Sequence, residues 1–315
     1  MLVSVEITNF AVMKSGKTIQ VNTAEQFCSL FGAPSTRHPL MTVCPLSDLR
    51  PEFRGAIGVE MGLYTIIAKD GGTCTGTYGW REYDFTKGAM NFLSPGQEFQ
   101  WGNSPDNTGR WGWVLAFHPD FVRRHALYSK LEKLHFFSYS VSEALHVSES
   151  ERETIDGLFQ DLSREYSRDI DEHTQGIIVS LIDVLLGYSE RFYTRQFRTR
   201  QAVEPDILSR FKAALDAHYG GSEPLLASVS KIADDLAMTP HYLSDYLRAR
   251  TGLSTQQQIH AYLINKAKGL LLSTDLPVGE IASSLGFEYP QHFTRMFKSK
   301  TGLTPLQYRR EGYKN

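Results

Sequence analysis

Two stretches near the C-terminus carry long polar side chains at the spacing of one helical face. The first stretch supplies His241, Ser244, Asp245 and Arg248. The second stretch, fifty residues later, supplies Gln291, His292, Thr294, Arg295 and Lys298. Such amide, imidazole, hydroxyl and guanidinium groups hydrogen-bond to base edges in the major groove of a duplex. A helix that presents one of these faces can enter that groove.

The two stretches belong to an internal duplication. Residues 232–237 (IADDLA) align with residues 281–286 (IASSLG), and residues 240–253 align with residues 290–303. The offset grows from 49 to 50 residues because one extra residue lies in the second connection. Each copy is predicted to be a short helix, a tight connection and a second helix, which is the layout of a helix-turn-helix.

Apolar residues give each copy a small core of its own. Ile232 and Leu236 share one face of the first predicted helix. Leu243 and Leu247 share one face of the second helix, where the second copy has phenylalanines. Two such faces that meet across a short turn bury the apolar residues and leave the polar face outside.

Helical periodicity is continuous from residue 206 onward and is interrupted only by turn signals. The predicted helices cover residues 206–218, 229–237, 240–250, 254–273, 278–285, 290–300 and 305–311. The fourth of them would be about 30 Å long, close to the roughly 34 Å between successive major-groove faces. It could therefore present the two polar helices to adjacent turns of one duplex.

Positive charge is concentrated at the C-terminal end of a chain that is slightly acidic overall. The 315 residues include 33 Lys and Arg and 35 Asp and Glu, for a net charge of −2 at pH 7. From Pro290 onward there are six basic residues and one acidic residue, Glu311. The whole-chain charge gives no argument for nucleic acid, but this local cluster does.

The first two thirds of the chain have a different pattern of apolar residues and turn signals. Residues 1–120 contain short β-favouring runs between turn signals, which is typical of a sandwich or a small barrel. Two amphipathic helices follow, one beginning near Ser148 and one over residues 173–192, and the second is apolar around more than half its girth. That broad face either packs on the β region or forms a dimer interface. Residues 191–205 are predicted to be an exposed linker.

Cysteine usage and apolar runs predict a cytoplasmic protein with no membrane contact. The three cysteines are too few and too scattered for a disulfide framework or a zinc site. The first seventeen residues lack the pattern of a signal peptide. The longest apolar stretch, residues 177–186, is about half the length of a membrane span.

Residues 226–309 resemble the DNA-binding domain of the AraC/XylS family of bacterial transcription regulators. The resemblance is strongest in the second copy, in the runs LGF at 285–287, HFTRMFK at 292–298 and TGLTP at 301–305. Leu263 departs from the family pattern because many relatives have arginine there. The resemblance implies two helix-turn-helix units joined by a helix, with double-stranded DNA and RNA polymerase as partners and a homodimer as the assembly.

The resemblance also implies which side chains touch DNA. Base-edge contacts are expected from His241, Ser244, Asp245, Gln291, His292, Thr294 and Arg295. Arg295 is the strongest of these because arginine pairs with guanine through two hydrogen bonds. Asp245 either accepts from a cytosine amino group or caps a neighbouring residue. Contacts to phosphates, which position a protein without specifying a sequence, are expected from Arg248, Lys298 and Lys300.

The N-terminal part is similar, more weakly, to the cupin-type sensor domain found in the same family. The similarity lies in residues 64–101, and it implies a β-barrel that takes a small-molecule effector. Aromatic residues there either line a pocket or fill the core: Tyr64, Tyr78, Trp80, Trp101, Trp111 and Trp113. There is no His-x-His pair and no histidine between Met61 and Trp113, so we expect no metal and no cofactor.

These observations predict an α+β chain of two domains. Residues 1–147 form a cupin-like β-barrel with flanking helices, residues 148–205 a helical dimerisation region and linker, and residues 206–315 an all-helical domain. An enzyme would need a nucleophile with its base, a metal cluster or a phosphate loop, and no such motif occurs. A helical protein-interaction module would not explain two polar, basic faces. We therefore predict a DNA-binding regulator, with its effector, its target genes and the choice of activation or repression left open.

Overall fold

The computed structural model describes residues 18–50, 57–70, 77–78, 81–82, 88–101, 111–199, 207–220 and 226–312. The chain divides into two units, Met1–Gln196 and Phe197–Asn315, and each is considered by itself. The first unit is rich in sheet and the second is helical. The fold is therefore mixed α+β, as predicted, while the three-part division of the chain and the cupin barrel stay predictions.

The N-terminal unit is built on antiparallel sheet. Its described strands are β1 (Ile19–Val21), β2 (Met41–Pro45), β3 (Ile57–Met61), β4 (Tyr64–Lys69), β5 (Thr77–Tyr78), β6 (Arg81–Glu82), β7 (Ala89–Leu93), β8 (Gln97–Trp101), β9 (Gly112–Phe117) and β10 (Leu145–His146). Within the described residues, the largest sheet has the order β10-β7-β4-β9-β2, and a smaller one has the order β1-β3-β8. Only β1 and β3 pair in parallel among these described strands.

Helices cover part of this sheet. Those that begin in the N-terminal unit are α1 (Ala24–Phe31), α2 (Pro119–Val122), α3 (Ala126–Leu131), α4 (Glu149–Tyr166) and α5 (Thr174–Thr199). One apolar core joins α1 to both sheets through Phe27, Val59, Ile67 and Val114. On β7, Phe92 packs instead against Phe136, with ring centroids 4.6 Å apart. Because β4, β7 and β9 are buried on both faces, their sequences are nearly continuous apolar runs rather than alternating ones.

Helix α5 is longer than predicted and takes in much of the expected linker. The prediction of an exposed linker over residues 191–205 is wrong for residues 191–199, which are helical. Phe192 and Tyr193 are buried, because they continue the apolar face of the preceding turns. Residues 200–205, the remainder of that prediction, lie outside the described residues.

Polar contacts also hold this end of α5 to the N-terminal unit. The Arg195 guanidinium donates to both carboxylate oxygens of Glu151 at 3.0 and 2.6 Å. The Gln196 side chain accepts from the His146 backbone N–H at 2.7 Å and donates to the Ala144 carbonyl at 3.1 Å. The arginines of this segment suggest an exposed linker in the sequence. One of them, Arg195, is instead bound to Glu151 of α4.

The broad apolar face of α5 is divided between two environments. Ile178, Ile182 and Leu185 are buried within the N-terminal unit. Ile177 and Val184, about two turns apart on another side of the helix, are 44% and 46% exposed. Packing inside the unit, which was one of the two alternatives, therefore accounts for most of the face, and a narrower apolar stripe is left open to solvent.

The C-terminal unit is helical wherever it is regular. Its helices in the described residues are α6 (Ile207–His218), α7 (Val229–Asp235), α8 (Pro240–Thr251), α9 (Thr255–Ser273), α10 (Val278–Ser284), α11 (Pro290–Thr301) and α12 (Pro305–Gly312). Prolines begin α8 and α11, and the left-handed glycines Gly252 (φ 76°) and Gly302 (φ 81°) end them. The seven helices predicted from periodicity are confirmed. In the part of the chain that the structure describes, no helix is both long and apolar enough to cross a bilayer.

Candidate nucleic-acid interface

The duplicated segments fold with the same tight turn. In both copies the same pair of backbone hydrogen bonds closes it: Ala237 N to Asp234 O (2.9 Å), Met238 N to Ala233 O (2.9 Å), Gly286 N to Ser283 O (2.9 Å) and Phe287 N to Ala282 O (3.0 Å). Met238 and Phe287 then insert into the core at 6% and 7% exposure. The turn fixes where the second helix of each copy starts, and so fixes which of its faces points outward.

Both turns require a left-handed residue, and only one copy has glycine there. Gly286 has φ 82°, and its equivalent Ala237 has φ 55°. Because the Cβ atom disfavours this conformation, we expect Gly286→Ala to lower the free energy of unfolding of the C-terminal unit by about 1 kcal/mol. Ala237→Gly is the matched control and should raise it or leave it unchanged. Urea unfolding followed by far-UV circular dichroism measures both, and a destabilising Ala237→Gly would contradict this account.

The duplication extends further than the aligned blocks of sequence. The same capping box begins the helix after each copy, with Ser254 and Gln257 at α9 and Thr304 and Gln307 at α12. At the end of α8, the Thr251 hydroxyl accepts from the Leu253 backbone N–H at 3.2 Å. At the end of α11, the Thr301 hydroxyl accepts from the Leu303 backbone N–H at 3.3 Å. The S/T-x-x-Q spacing was visible in the sequence as a helix-start signal.

Each copy buries the apolar residues predicted for its core. Leu243 and Leu247 of α8 are fully buried, and so are Phe293 and Phe297 of α11. The phenylalanine rings lie 5.7 Å apart. Because these positions are fixed inward, the helical repeat places the residues between them on the opposite, solvent side.

The outer faces are those predicted. His241 and Arg248 are exposed on α8, and Ser244 and Asp245 are half-buried beside them. On α11 the equivalent face consists of Gln291, Thr294, Arg295 and Lys298, with His292 next to it, and all but Thr294 are exposed. The Thr294 hydroxyl donates to the Pro290 carbonyl at 3.0 Å. We call α8 and α11 the reading helices. The residues just named on each of them form what we call its outer face.

Lys300 lies apart from the outer face of α11. Burial and the nearby positive charge of Lys300 together lower the pKa of His260 on α9, burial being the larger cause. The charge of Lys300 therefore lies near α9. Lys300 is two residues beyond Lys298, about 200° around the helix from it, so the two lysines lie on different faces of α11. Of the three lysine and arginine residues expected to contact phosphates, Arg248 and Lys298 lie on outer faces and Lys300 does not.

The two outer faces differ in charge at one pair of equivalent positions. On α8, the Asp245 carboxylate accepts from the Arg248 guanidinium at 3.1 Å. On α11, the corresponding residues are Arg295 and Lys298, both exposed cations. Two roles were open for Asp245: a contact to a neighbouring residue, or a contact to a cytosine amino group. The Arg248 contact is of the first kind, and the cytosine contact stays a prediction.

Comparisons with known proteins agree with this geometry. Residues 232–311 match a family model described as a helix-turn-helix domain. The chain is 31% identical over 146 residues, 46% of its length, to the uncharacterised HTH-type transcriptional regulator YfiF of Bacillus subtilis (strain 168). It is 30% identical over 140 residues, 44% of its length, to the arabinose operon regulatory protein of Escherichia coli (strain K12). The C-terminal region is an AraC-type helix-turn-helix domain.

The matches are partial in the relatives as well. The aligned part of this chain covers 44% of the Bacillus regulator and 45% of the arabinose regulator, less than half of each. Among solved structures, the C-terminal domain of AraT, a response regulator from Geobacillus stearothermophilus, is 28% identical, with 35% of this chain and 88% of that chain covered and a TM-score of 0.31.

Helix α9 is the scaffold of the AraC-type domain. Its 19 residues correspond to about 28 Å. Leu263, where the family resemblance leads one to expect arginine, is fully buried in this helix. Tyr262 donates to the Asp216 carboxylate of α6 at 2.6 Å, and Lys266 donates to the Tyr219 carbonyl at 2.9 Å.

One basic residue of the C-terminal cluster supports the AraC-type domain from within. The Arg309 guanidinium donates to the carbonyls of Leu271 at 3.1 Å and Leu276 at 2.6 Å. These carbonyls lie at and after the end of α9, where a positive side chain is favourable. Charge counting assigned Arg309 to the DNA-binding cluster, and it missed this role because the contact spans 38 residues of sequence.

The Asp245–Arg248 ion pair gives a testable difference between the reading helices. Asp245→Asn removes one negative charge from the outer face of α8 and leaves Arg248 free to reach a phosphate. We expect tighter binding to duplexes of every sequence, with the slope of log K against log salt steeper by about 1. Ionic-strength titrations of the full chain measure this slope, with Asp161→Asn on α4 as a control that removes an equal charge elsewhere. Weaker binding confined to one preferred sequence would show instead that Asp245 reads a base.

The aromatic residues proposed for an effector pocket are only partly within the described residues. Tyr64 stacks on Phe117 with centroids 5.4 Å apart, and burial is the largest cause of its raised pKa. Trp113 stacks on Phe159 of α4 at 5.8 Å. Both therefore take part in packing. Trp80 lies outside the described residues, as do the side chains of Tyr78 and Trp101.

A carboxylate on α4 accounts for two of the tryptophans. Oδ1 of Asp156 accepts from the indole Nε1 of Trp111 at 2.6 Å and of Trp113 at 2.7 Å. Arg152, one turn earlier, lies 4.6 Å above the Trp111 ring. These contacts hold α4 against β9, and effector binding by the remaining aromatic residues stays a prediction.

Proposed function

We propose that this chain is a sequence-specific DNA-binding transcription regulator and not an enzyme. The observation that carries the proposal is the pair of equivalent polar outer faces on α8 and α11, joined by α9. A connecting helix of about 28 Å is matched to the roughly 34 Å between successive major-groove faces on one side of a duplex. The match of residues 232–311 to a helix-turn-helix family supports the same conclusion.

In this proposal the outer faces divide the work of recognition. Arg295 reads guanine, and Gln291, His292 and Thr294 contact neighbouring base edges from α11. His241 and Ser244 contact bases from α8. Arg248 and Lys298 bind phosphates and so set the position of the domain on the duplex. The exposed cations of α11 supply the larger part of the electrostatic attraction.

The N-terminal unit is proposed to receive a small-molecule signal. Its sheet-rich architecture supports a sensor role, and the resemblance to cupin-type sensor domains motivates it. A homodimer is proposed to form through the exposed stripe of α5, where Ile177, Leu181 and Val184 recur at helical spacing. RNA polymerase is the expected partner at a promoter. Sedimentation of the full chain over a range of concentrations tests the dimer.

The DNA-binding proposal is tested by selecting duplexes from a randomised pool with the full chain. We expect enrichment of one sequence motif with two parts about one helical turn apart. Binding to the recovered duplex should weaken linearly in log K against log salt. A pool that shows no enrichment after repeated selection, at low as well as moderate salt, would overturn the proposal.

A further inference from the structure

The connection before α11 holds an aromatic side chain that the repeat does not require. Tyr289 lies in the connection that is one residue longer than its counterpart in the first copy. It is 48% exposed, and it is the only Phe, Trp or Tyr among the exposed large apolar residues of the described chain. Burial therefore gives no reason for an aromatic residue at this position.

Helix capping gives no reason for it either. Tyr289 occupies the N-cap position of α11, but its side chain makes no cap hydrogen bond. In the first copy, Thr239 occupies the same position, and its hydroxyl accepts from the Tyr242 backbone N–H at 3.3 Å. A threonine at residue 289 would serve the local fold better than the tyrosine that is present.

The surroundings of Tyr289 are those of the proposed DNA surface. Its ring lies 5.6 Å from the His292 ring in an edge-to-face arrangement, with an interplanar angle of 63°. Gln291 beside them is exposed, and Arg295 and Lys298 are exposed cations further along the same helix. The first turn of a reading helix is the part that meets base edges. A residue just before that turn lies at the rim of the groove, where phosphates are the available partners.

We propose that Tyr289 is a DNA-backbone contact of the second reading helix. The proposal rests on the proposed function and adds a residue to its interface. The phenol hydroxyl donates to a phosphate oxygen at the edge of the groove that holds α11. The ring covers the adjacent deoxyribose and keeps His292 turned toward the bases. Because the contact is neutral, it contributes affinity without releasing a counterion.

Two substitutions separate the hydroxyl from the ring. Tyr289→Phe should weaken binding about two- to tenfold, the loss of one hydrogen bond, on the duplex recovered by selection and on a mixed-sequence duplex alike. Tyr289→Ala should weaken it further. The slope of log K against log salt should stay at the wild-type value for both, whereas Lys298→Ala should lower it by about 1. Leu306→Ala removes an exposed apolar side chain from α12 (54% exposed) and is the matched control.

Hydroxyl-radical footprinting gives a readout that a structural role would not move. The wild type should protect one or two sugars at the edge of the α11 site that Tyr289→Ala leaves open, while the midpoint of thermal unfolding is unchanged. Wild-type binding together with full affinity and full protection in both variants would overturn the role of Tyr289 and leave the proposed function standing. Absence of duplex binding by the wild type would overturn both.

Discussion

Phe297→Ala is expected to lower the free energy of unfolding of the C-terminal unit by about 3–5 kcal/mol. The Phe297 side chain is fully buried. Its ring lies 5.7 Å from Phe293 and 5.5 Å from Tyr308, so it joins α11 to α12. Alanine would leave a cavity between these two helices, and the cost of a cavity adds to the lost burial of the ring. A loss of this size is comparable with the whole stability of many domains.

The neighbouring residue supplies a matched control for this prediction. Lys298 is exposed on the other side of the same turn, and Lys298→Ala should change stability by less than about 0.5 kcal/mol. Urea unfolding followed by far-UV circular dichroism compares the two variants. If Phe297→Ala and Lys298→Ala were equally stable, the burial of the inner face of α11, and with it the assignment of its outer face, would be wrong.

Arg295→Ala is expected to weaken binding to the preferred duplex by about 1–3 kcal/mol and to relax selection at one base position. The guanidinium is exposed on the outer face of α11, at the position that Asp245 occupies on α8. Lys298→Ala should instead weaken binding to all sequences about equally, because a phosphate contact carries no sequence information. Competition between the recovered duplex and its single-base variants measures both effects.

Arg295→Lys separates charge from geometry. Lysine keeps the positive charge but lacks the planar fork that fits guanine. We expect selectivity at that base to fall while the salt dependence stays near the wild-type value. Equal losses on every sequence for Arg295→Ala, with full recovery in Arg295→Lys, would assign Arg295 to phosphate instead of a base.

The C-terminal helices were predictable from the sequence because each of their signals is local. Apolar spacing, Pro240 and Pro290 at helix starts and Gly252 and Gly302 after helix ends all act within a turn or two of the chain. The outer faces follow from the same spacing, since fixing Phe293 and Phe297 inward determines what faces solvent. The duplication adds a second, independent copy of each signal.

Features that depend on distant contacts were not predictable. The arginines at the end of α5 predict a solvent-exposed linker, and nothing local shows that Arg195 contacts Glu151, 44 residues away. The structural role of Arg309 could not be foreseen for the same reason, because its partner Leu271 lies 38 residues away in the sequence. The N-terminal strands lack a clear alternating pattern because both faces are buried, so the sequence indicated sheet without giving its order.

The shared Asp156 acceptor has a practical consequence for spectroscopy. All four tryptophans of the chain lie between residues 80 and 113, and two of them donate to this one carboxylate. Indole emission responds to such a partner, so fluorescence registers whether α4 is seated on β9. The C-terminal unit contains no tryptophan, so it contributes no indole emission. A single sample can therefore report structural changes in the N-terminal unit by emission, while a labelled duplex tests binding by the other unit.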